Sequence, residues 1–259
     1  MEAGGALPEP SFIIIKERNN MIRSRILVII PAYNEAENLK SLIPELRREA
    51  SECDLIVIND GSTDETDNVL QTQGCPSLRL PVNSGIGVAV QTGFLYSMRQ
   101  DYDITLQVDG DGQHVPLEIS NLVQPVAKGE CDVAVGSRFA ADTGYMASWP
   151  RRLGIGVMSL LIRVLTGRAI HDPTSGFRAF NRAATRFLAE NYAEDYPEVE
   201  SNLVLLVNGF RMKEIPVRMR PREHGVSSIR SIKAFYYMLK VSLCLILVRL
   251  RGRNKSWTV

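Results

Sequence analysis

Ile104-Thr105-Leu106-Gln107-Val108-Asp109-Gly110-Asp111-Gly112-Gln113-His114 is the stretch on which the reading of this chain turns. Ile104 to Val108 is a short apolar run of the kind that forms a buried strand. It ends in two aspartates two positions apart, each followed by a glycine. The glycines remove steric obstruction, so both carboxylates can converge on one hard cation. Mg2+ or Mn2+ takes such oxygen ligands and completes its shell with water and phosphate oxygens, which makes a diphosphate the fitting third party. An isolated acidic, glycine-rich turn is ordinarily a solvated loop, but its place directly after an apolar strand makes it a candidate site. Gln113 is the better choice to face that site, and His114 reads as a hydrogen-bonding surface residue.

The same succession of apolar run, polar turn and helical period repeats on either side. Ile26 to Ile30 predicts a first strand broken by Pro31 to Asn34, after which Glu37 to Arg48 places Leu39, Leu42, Ile43 and Leu46 on one helical face. Leu55 to Ile58 predicts a second strand ending at Asn59-Asp60-Gly61. Ser62 or Thr63 is suited to cap the next helix, with Asp64 and Glu65 in its first turn. Leu78 to Leu80 follows as a third strand, and Asn83 to Gly87 leads into a helix from Val88 to Met98. Past the acidic turn come a helix near Leu117 to Val126 and a strand from Val133 to Gly136 that ends in Ser137-Arg138. The alternation then weakens into an apolar helix from Leu153 to Leu165, a loop from Asp172 to Arg178, a helix near Val199 to Val207, strand-like residues 212 to 219, and a last helix from Ile232 to Leu250.

Strands alternating with helices predict an α/β fold with a largely parallel sheet. Ligands of such open sheets bind beyond the carboxyl ends of the strands, so the turns at 31–35, 59–62, 83–87 and 109–113 are expected to share one cleft. Asp60 is good turn chemistry, and it also stands where nucleotide folds place an acid against a base N–H or ribose hydroxyl. Gly85-Ile86-Gly87-Val88 resembles a dinucleotide fingerprint, but it lacks the third glycine and follows the third strand, which speaks against a dehydrogenase.

The chain has 259 residues, 45% of them hydrophobic and 23% charged, as in a folded globular protein. Its net charge of +1 conceals an asymmetry: residues 211–259 carry twelve Lys/Arg against Glu214 and Glu223, which leaves +10 there and −9 in the rest. Such a tail suits an anionic surface, either nucleic acid or lipid headgroups. Four scattered cysteines form no zinc or redox pair and fit a reducing compartment. Residues 1–20 show no signal-peptide pattern and read as a poorly structured extension.

Pro31-Ala32-Tyr33-Asn34-Glu35, Asn59-Asp60-Gly61-Ser62-Thr63-Asp64, Asn83 to Gly87, Asp109-Gly110-Asp111-Gly112-Gln113 and Asp172-Pro173-Thr174-Ser175-Gly176-Phe177-Arg178, in this order, resemble family 2 glycosyltransferases of the GT-A fold. More narrowly, they are similar to the dolichyl-phosphate mannose synthase branch and its bacterial polyprenyl-phosphate relatives. The resemblance implies a single nucleotide-diphospho-sugar transferase domain over 21–230, and a C-terminal apolar or amphipathic helix with a basic tail over 231–259. It implies that Pro31, Ala32, Tyr33, Glu35, Asp60, Gly87, Val108, Asp109 and Gly110 bind the nucleotide sugar, with Asp109, Asp111 and Gln113 around Mg2+ or Mn2+. Arg138 and either Arg151 or Arg152, of which Arg152 is taken, are implied to face the acceptor phosphate. Ser175 and Arg178 are implied to frame the sugar and acceptor, Glu200 to fill the acidic position of the following helix, and Arg222 with residues 225–228 to close over the donor phosphates.

The implied reaction is inverting transfer to a polyprenyl phosphate, in which Asp111, Arg138, Arg152, Ser175 and Arg178 take part. A phosphate acceptor is already anionic and needs no general base, whereas a hydroxyl acceptor does. Glu194-Asp195 resembles the acidic pair of hydroxyl-acceptor members, so a glycan-extending transferase with Asp195 as base is the alternative, and a noncatalytic nucleotide-sugar-binding scaffold is a further one. The implied location is cytoplasmic and peripheral on the inner face of a membrane, with an anionic lipid surface and a small membrane protein as partners and no nucleic acid. Phe235 to Val248 is strongly apolar but interrupted by Lys240, short of the ~20 apolar residues a spanning helix needs.

Overall fold

The computed structural model describes residues 13–17, 20–140, 149–193, 197–221, 240–243, 245–247 and 249–250. Strands β1 (Ile13–Glu17) and β2 (Asn20–Ser24) pair antiparallel, Ile13 opposite Ser24 and Glu17 opposite Asn20. Residues 13–17 lie within the stretch expected to be unstructured. The run Ile13-Ile14-Ile15 explains the difference, because β-branched residues favour an extended, paired backbone.

The main body begins with β3 (Ile26–Ala32), α1 (Ala36–Glu49), β4 (Asp54–Asn59), α2 (Thr66–Thr72), β5 (Ser77–Arg79), α3 (Ile86–Arg99) and β6 (Ile104–Gln107). A short 3-10 turn, Pro116–Glu118, then opens α4 (Ile119–Ala127), followed by β7 (Val133–Ser137) and α5 (Trp149–Thr166). The remainder is β8 (Arg178–Asn181), α6 (Arg182–Asn191), α7 (Pro197–Val207) and β9 (Met212–Pro216). Among the described residues, seven strands form one sheet in the order β5-β4-β3-β6-β8-β7-β9. β3 pairs parallel with β4 on one side and β6 on the other, which puts a topological switch point at the carboxyl ends of β3 and β6.

Every residue of β3 is buried, and the pleat divides its side chains. Ile26, Val28 and Ile30 enter a core with Leu39, Leu42, Leu46 and Leu122, while Leu27 and Ile29 enter the opposite core with Val90, Phe94 and Phe187. The apolar run predicted from sequence is thus a strand covered on both faces.

Two local differences from the sequence expectations have physical reasons. Neither Ser62 nor Thr63 caps α2, which starts at Thr66 after Glu65; Ser62 Oγ instead accepts the N–H of Asn34 (2.9 Å). The loop from Asp172 was not expected to lead into β8 and α6. β8 inserts antiparallel between β6 and β7, and its four residues carry no long apolar run to announce it. Its last residue, Asn181, accepts the N–H of Ala184 (2.8 Å) and so caps α6.

A third core joins α5 and α7 to the helical residues 240–243 and 245–247, through Met158, Ile162, Val199, Leu203, Val241 and Leu245. The expected C-terminal helix is therefore packed on the domain along one face; its expected part at 232–239 lies outside the described residues. No helix among the described residues is long and apolar enough to cross a membrane.

Phe94 is fully buried, with ring centroids of Phe180 and Tyr192 at 5.1 and 5.2 Å in edge-on contact. Phe94→Ala should lower the unfolding free energy by about 3–5 kcal/mol, read as a fall in the urea midpoint.

Candidate functional site

A cleft of about 650 Å³ opens at the switch point, lined by Pro31 to Glu35, Asp60, Asp64, Asn83, Gly85, Ile86 and Asp109 to Asp111. The predicted turns do converge there. Their mutual placement is fixed by side-chain to backbone hydrogen bonds. Asn34 Oδ1 accepts the N–H of Thr63 at 2.8 Å, and Asp64 Oδ2 accepts the N–H of Ala36 at 3.2 Å, which stitches the turn after β3 to the turn after β4. Asp60 is buried, and its two oxygens accept the N–H groups of Ser84 (2.7 Å) and Gly85 (2.8 Å). It therefore shapes the glycine turn in addition to lining the cleft. Tyr33 is exposed at the rim.

The acidic turn forms the floor. The Gly110 N–H reaches Pro31 O at 3.3 Å, and a Cβ at residue 110 would stand 2.9 Å from that oxygen, so only glycine permits this approach. Asp109 Oδ1 accepts from Gln107 Nε2 (3.1 Å), and Asp111 Oδ1 accepts the N–H of Gln113 (3.1 Å). Gln113 is held from the other side: its Nε2 donates to Arg220 O (3.2 Å) and its carbonyl accepts the Arg220 N–H (2.8 Å). Arg220 is anchored in turn by a two-pronged bond to Glu45 on α1 at 2.6 and 2.7 Å.

His114 is buried, contrary to the surface position expected for it, and stacks on Phe177 with centroids 4.6 Å apart. The Asp109 N–H donates to its Nδ1 (3.0 Å), which leaves the proton on Nε2, 3.6 Å from Asp109 Oδ2. Burial pushes its pKa below the usual value, against the pull of the Asp109 and Asp111 carboxylates.

The other expected residues lie around or beneath this floor. Val108 and Gly87 are buried and do not line the cleft. Arg138 is nearly buried and clasps Asp172: Nε to Oδ2 and Nη2 to Oδ1, both 2.7 Å, with Nη2 also donating to Thr174 Oγ1 at 3.0 Å. Removing either partner would strand a buried charge, at a cost of about 3–5 kcal/mol. Ser175 is buried, its hydroxyl accepting the Phe177 N–H (3.3 Å). Arg178 is entirely enclosed, donating to Ser201 Oγ (2.7 Å), Tyr192 OH (3.0 Å) and, at 3.5 Å, to the Gln107 side chain that holds Asp109. The structure thus puts Arg178 behind the floor of the cleft. Arg152 is exposed in the first turns of α5. Arg222, residues 225–228 and Asp195 lie outside the described residues.

Sequence reasoning missed the partners. Asp172 was quoted only as part of a motif, yet it orients Arg138. Glu198 on α7 was not noticed at all. It is half-buried, and desolvation pushes its pKa up against the opposing Arg178 guanidinium, with Asp109 adding to the rise.

An open α/β sheet with a cleft at its switch point and two aspartates on the cleft floor is the architecture that the sequence motifs led one to expect, that of a GT-A type fold. The family model for Glycosyl transferase family 2 matches residues 27–188. The chain is 31% identical over 229 residues to the polyprenol monophosphomannose synthase of Mycolicibacterium smegmatis, covering 84% of this chain and 86% of that one. It is 30% identical over 215 residues to the undecaprenyl-phosphate mannosyltransferase of Micrococcus luteus, covering 79% and 87%. Among solved structures, glucosyl-3-phosphoglycerate synthase from Mycobacterium tuberculosis in complex with Mn2+ and UDP-glucose shares the fold, with a TM-score of 0.65, 20% identity and coverage of 89% and 80%. The chain belongs to glycosyl transferase family 2.

Two outcomes test this geometry. A Cβ at residue 176 would lie 2.6 Å from Asp109 Oδ2, so Gly176→Ala must displace that carboxylate or the loop that carries it. A loss of about 1–3 kcal/mol in urea unfolding is the outcome, with a changed Asp109 rotamer in a crystal structure of the variant. The second concerns pH. His114 takes up a proton near its ordinary 6.5 when unfolded and at a lower pH when folded, so its contribution to stability is complete above that value and is lost as pH falls through the folded pKa. Urea midpoints measured downward from neutral pH should fall, and His114→Asn should flatten that part of the profile.

Proposed function

We propose that this chain is an inverting, divalent-metal-dependent glycosyltransferase that moves a sugar from a nucleotide-diphosphate sugar to a polyprenyl phosphate at a membrane surface. The observation that carries the reading is the pair Asp109 and Asp111 on the floor of the switch-point cleft. That the relatives are named for polyprenol and undecaprenyl phosphate supports the acceptor class.

The donor set suits Mg2+ or Mn2+. Two hard carboxylates stand at one cleft. That is how Mg2+ is usually bound, by one or two carboxylates together with substrate phosphates. Asp109 and Asp111 would hold the ion, with the Gln113 amide oxygen beside them. When bound, it supplies a Lewis acid that offsets the charge left on the departing nucleoside diphosphate.

The remaining steps belong to the chain itself. Pro31, Ala32, Tyr33, Glu35 and Asp60 receive the base and ribose; Asp60 oxygens can still accept a ligand hydrogen bond alongside the two backbone N–H groups they hold. Gly110, packed against Pro31 O, holds the acidic turn beside the residues that receive the nucleotide, and Arg222 is the residue assigned to close over the diphosphate. Gly87 and Val108 shape the cleft from behind. Arg138, aimed by Asp172, and Arg152 on α5 attract the acceptor phosphate, which attacks from the face opposite the leaving group without a general base. Ser175 and Arg178 act through position, the first by fixing the Asp172–Phe177 loop and the second by bracing Gln107 and hence Asp109.

A lipid phosphate presents its reactive head at the bilayer surface. Lys213 and Arg220 are paired with Glu130 and Glu45 on the domain, but the basic residues from Arg222 onward fit a peripheral position on the cytoplasmic face against anionic lipid, with a small membrane protein as a further partner of the last helix. The unit that performs the transfer is assigned to 21–230, with 231–259 as the membrane-facing segment.

Asp111→Asn removes one charge at nearly constant size. Transfer from a nucleotide sugar to polyprenyl phosphate should fall by several kcal/mol of transition-state stabilisation with the melting temperature unchanged. Near-normal turnover at saturating Mn2+ would contradict the assignment.

A further inference from the structure

Between the end of α5 at Thr166 and the start of β8 at Arg178 the chain forms neither helix nor strand, so its backbone N–H groups have no ladder to enter. Two of them in succession are taken by one carboxylate. Glu214, on the edge strand β9, accepts the His171 N–H on Oε2 and the Asp172 N–H on Oε1, both at 2.8 Å. Its Oε2 also meets His171 Nδ1 at 2.7 Å. Glu214 is half-buried, whereas His171 is exposed. A loop N–H at the edge of a domain can be satisfied by water. A carboxylate that takes two adjacent N–H groups, one on each oxygen, does more than satisfy them, because charge-assisted bonds at two points fix the chain in place.

What is fixed lies directly behind Arg138. Glu214 stands opposite Val135 in the parallel pairing of β9 with β7, and Pro216 stands opposite Ser137, so the ladder sets Glu214 in a definite position relative to the end of β7. Asp172 is fully buried, and its carboxylate receives the Arg138 backbone N–H at 3.0 Å and both Nε and Nη2 at 2.7 Å. A buried side chain follows its own backbone, so a shift of the Asp172 Cα carries the Arg138 guanidinium with it. From the other side, Asn202 Nδ2 on α7 donates to the Pro173 carbonyl at 3.0 Å. Residues 171 to 173 are thus clamped between β9 and α7, by two N–H groups on one side and a carbonyl on the other.

We infer that Glu214 is a positioning residue of the transfer reaction: by holding the His171 and Asp172 N–H groups it sets the place of Asp172 and, through it, the aim of Arg138 at the acceptor phosphate. The acceptor part of this statement rests on the lipid-phosphate reading given above; the aiming of Arg138 rests on the geometry alone.

Glu214→Gln keeps the size and one acceptor oxygen but turns an amide NH2 toward the second backbone donor. In the full-length protein it should raise KM for polyprenyl phosphate about tenfold or more, with kcat at saturating lipid and KM for the nucleotide sugar close to those of the parent. Glu214→Asp, which keeps the charge and shortens the reach, should show the same split. His171→Ala leaves the backbone bonds in place and should match the parent. In an Arg138→Lys background, where the paired donors are already lost, Glu214→Gln should add little to the acceptor KM. A readout that needs no activity is hydrogen exchange at Arg138 Nε–H, followed by NMR: it should be slow in the parent and about tenfold or more faster in both Glu214 variants. A lower melting temperature with all kinetic constants impaired alike would make Glu214 a structural support only and overturn the proposal. So would a His171→Ala that reproduces the loss, or full additivity with Arg138→Lys. If the parent transfers no sugar to polyprenyl phosphate, the acceptor reading fails, and the Arg138 Nε–H exchange alone decides whether Glu214 aims that side chain: unchanged exchange refutes it, faster exchange upholds it.

Discussion

The position of the Asp109 carboxylate is the constraint from which the rest of the site follows. Gln107 donates to one oxygen, His114 Nε2 faces the other at 3.6 Å, and the Cα of Gly176 closes the third side so tightly that a Cβ would collide. These three supports come from β6, from the turn after it, and from the loop before β8. Behind them Arg178 braces Gln107 and is itself held by Ser201 and Tyr192 from the α6–α7 region. A carboxylate fixed from this many elements keeps its geometry whether or not a ligand is present, which is how a charge-stabilising site avoids reorganisation during reaction.

That arrangement explains why a short antiparallel strand interrupts an otherwise parallel sheet. β8 pairs Arg178 with Gln107 across the ladder, so its insertion between β6 and β7 brings the inward arginine under the acidic turn. The same loop that supplies Gly176 also supplies Asp172, the partner of Arg138 at the end of β7. The supports of Asp109 and of Arg138 are thereby built on one segment, Asp172 to Arg178.

The strand-end turns were legible because each joins a strong local signal, an apolar run, to a break in it; Asp60 and the Asp109–Asp111 pair could be placed at one cleft from topology alone. What lies behind the cleft was not legible. His114 looks like a loop residue from its neighbours, and only the stacking of Phe177, 63 positions later in the chain, buries it. Arg178 reads as a ligand-facing cation, yet it is enclosed and held by Ser201 and Tyr192, and Arg138 owes its aim to Asp172, 34 positions away; no local pattern announces either arrangement. β8 is too short for periodicity to reveal.

The most direct test of the account is to incubate the intact chain with a panel of nucleotide sugars, Mn2+ and a polyprenyl phosphate, and to analyse the lipid by mass spectrometry. The account predicts that one sugar nucleotide adds a single sugar to the lipid phosphate, with inverted anomeric configuration, and that chelation abolishes the product. Undiminished transfer after chelation, or addition only to a glycan hydroxyl while the lipid phosphate stays unmodified, would contradict it.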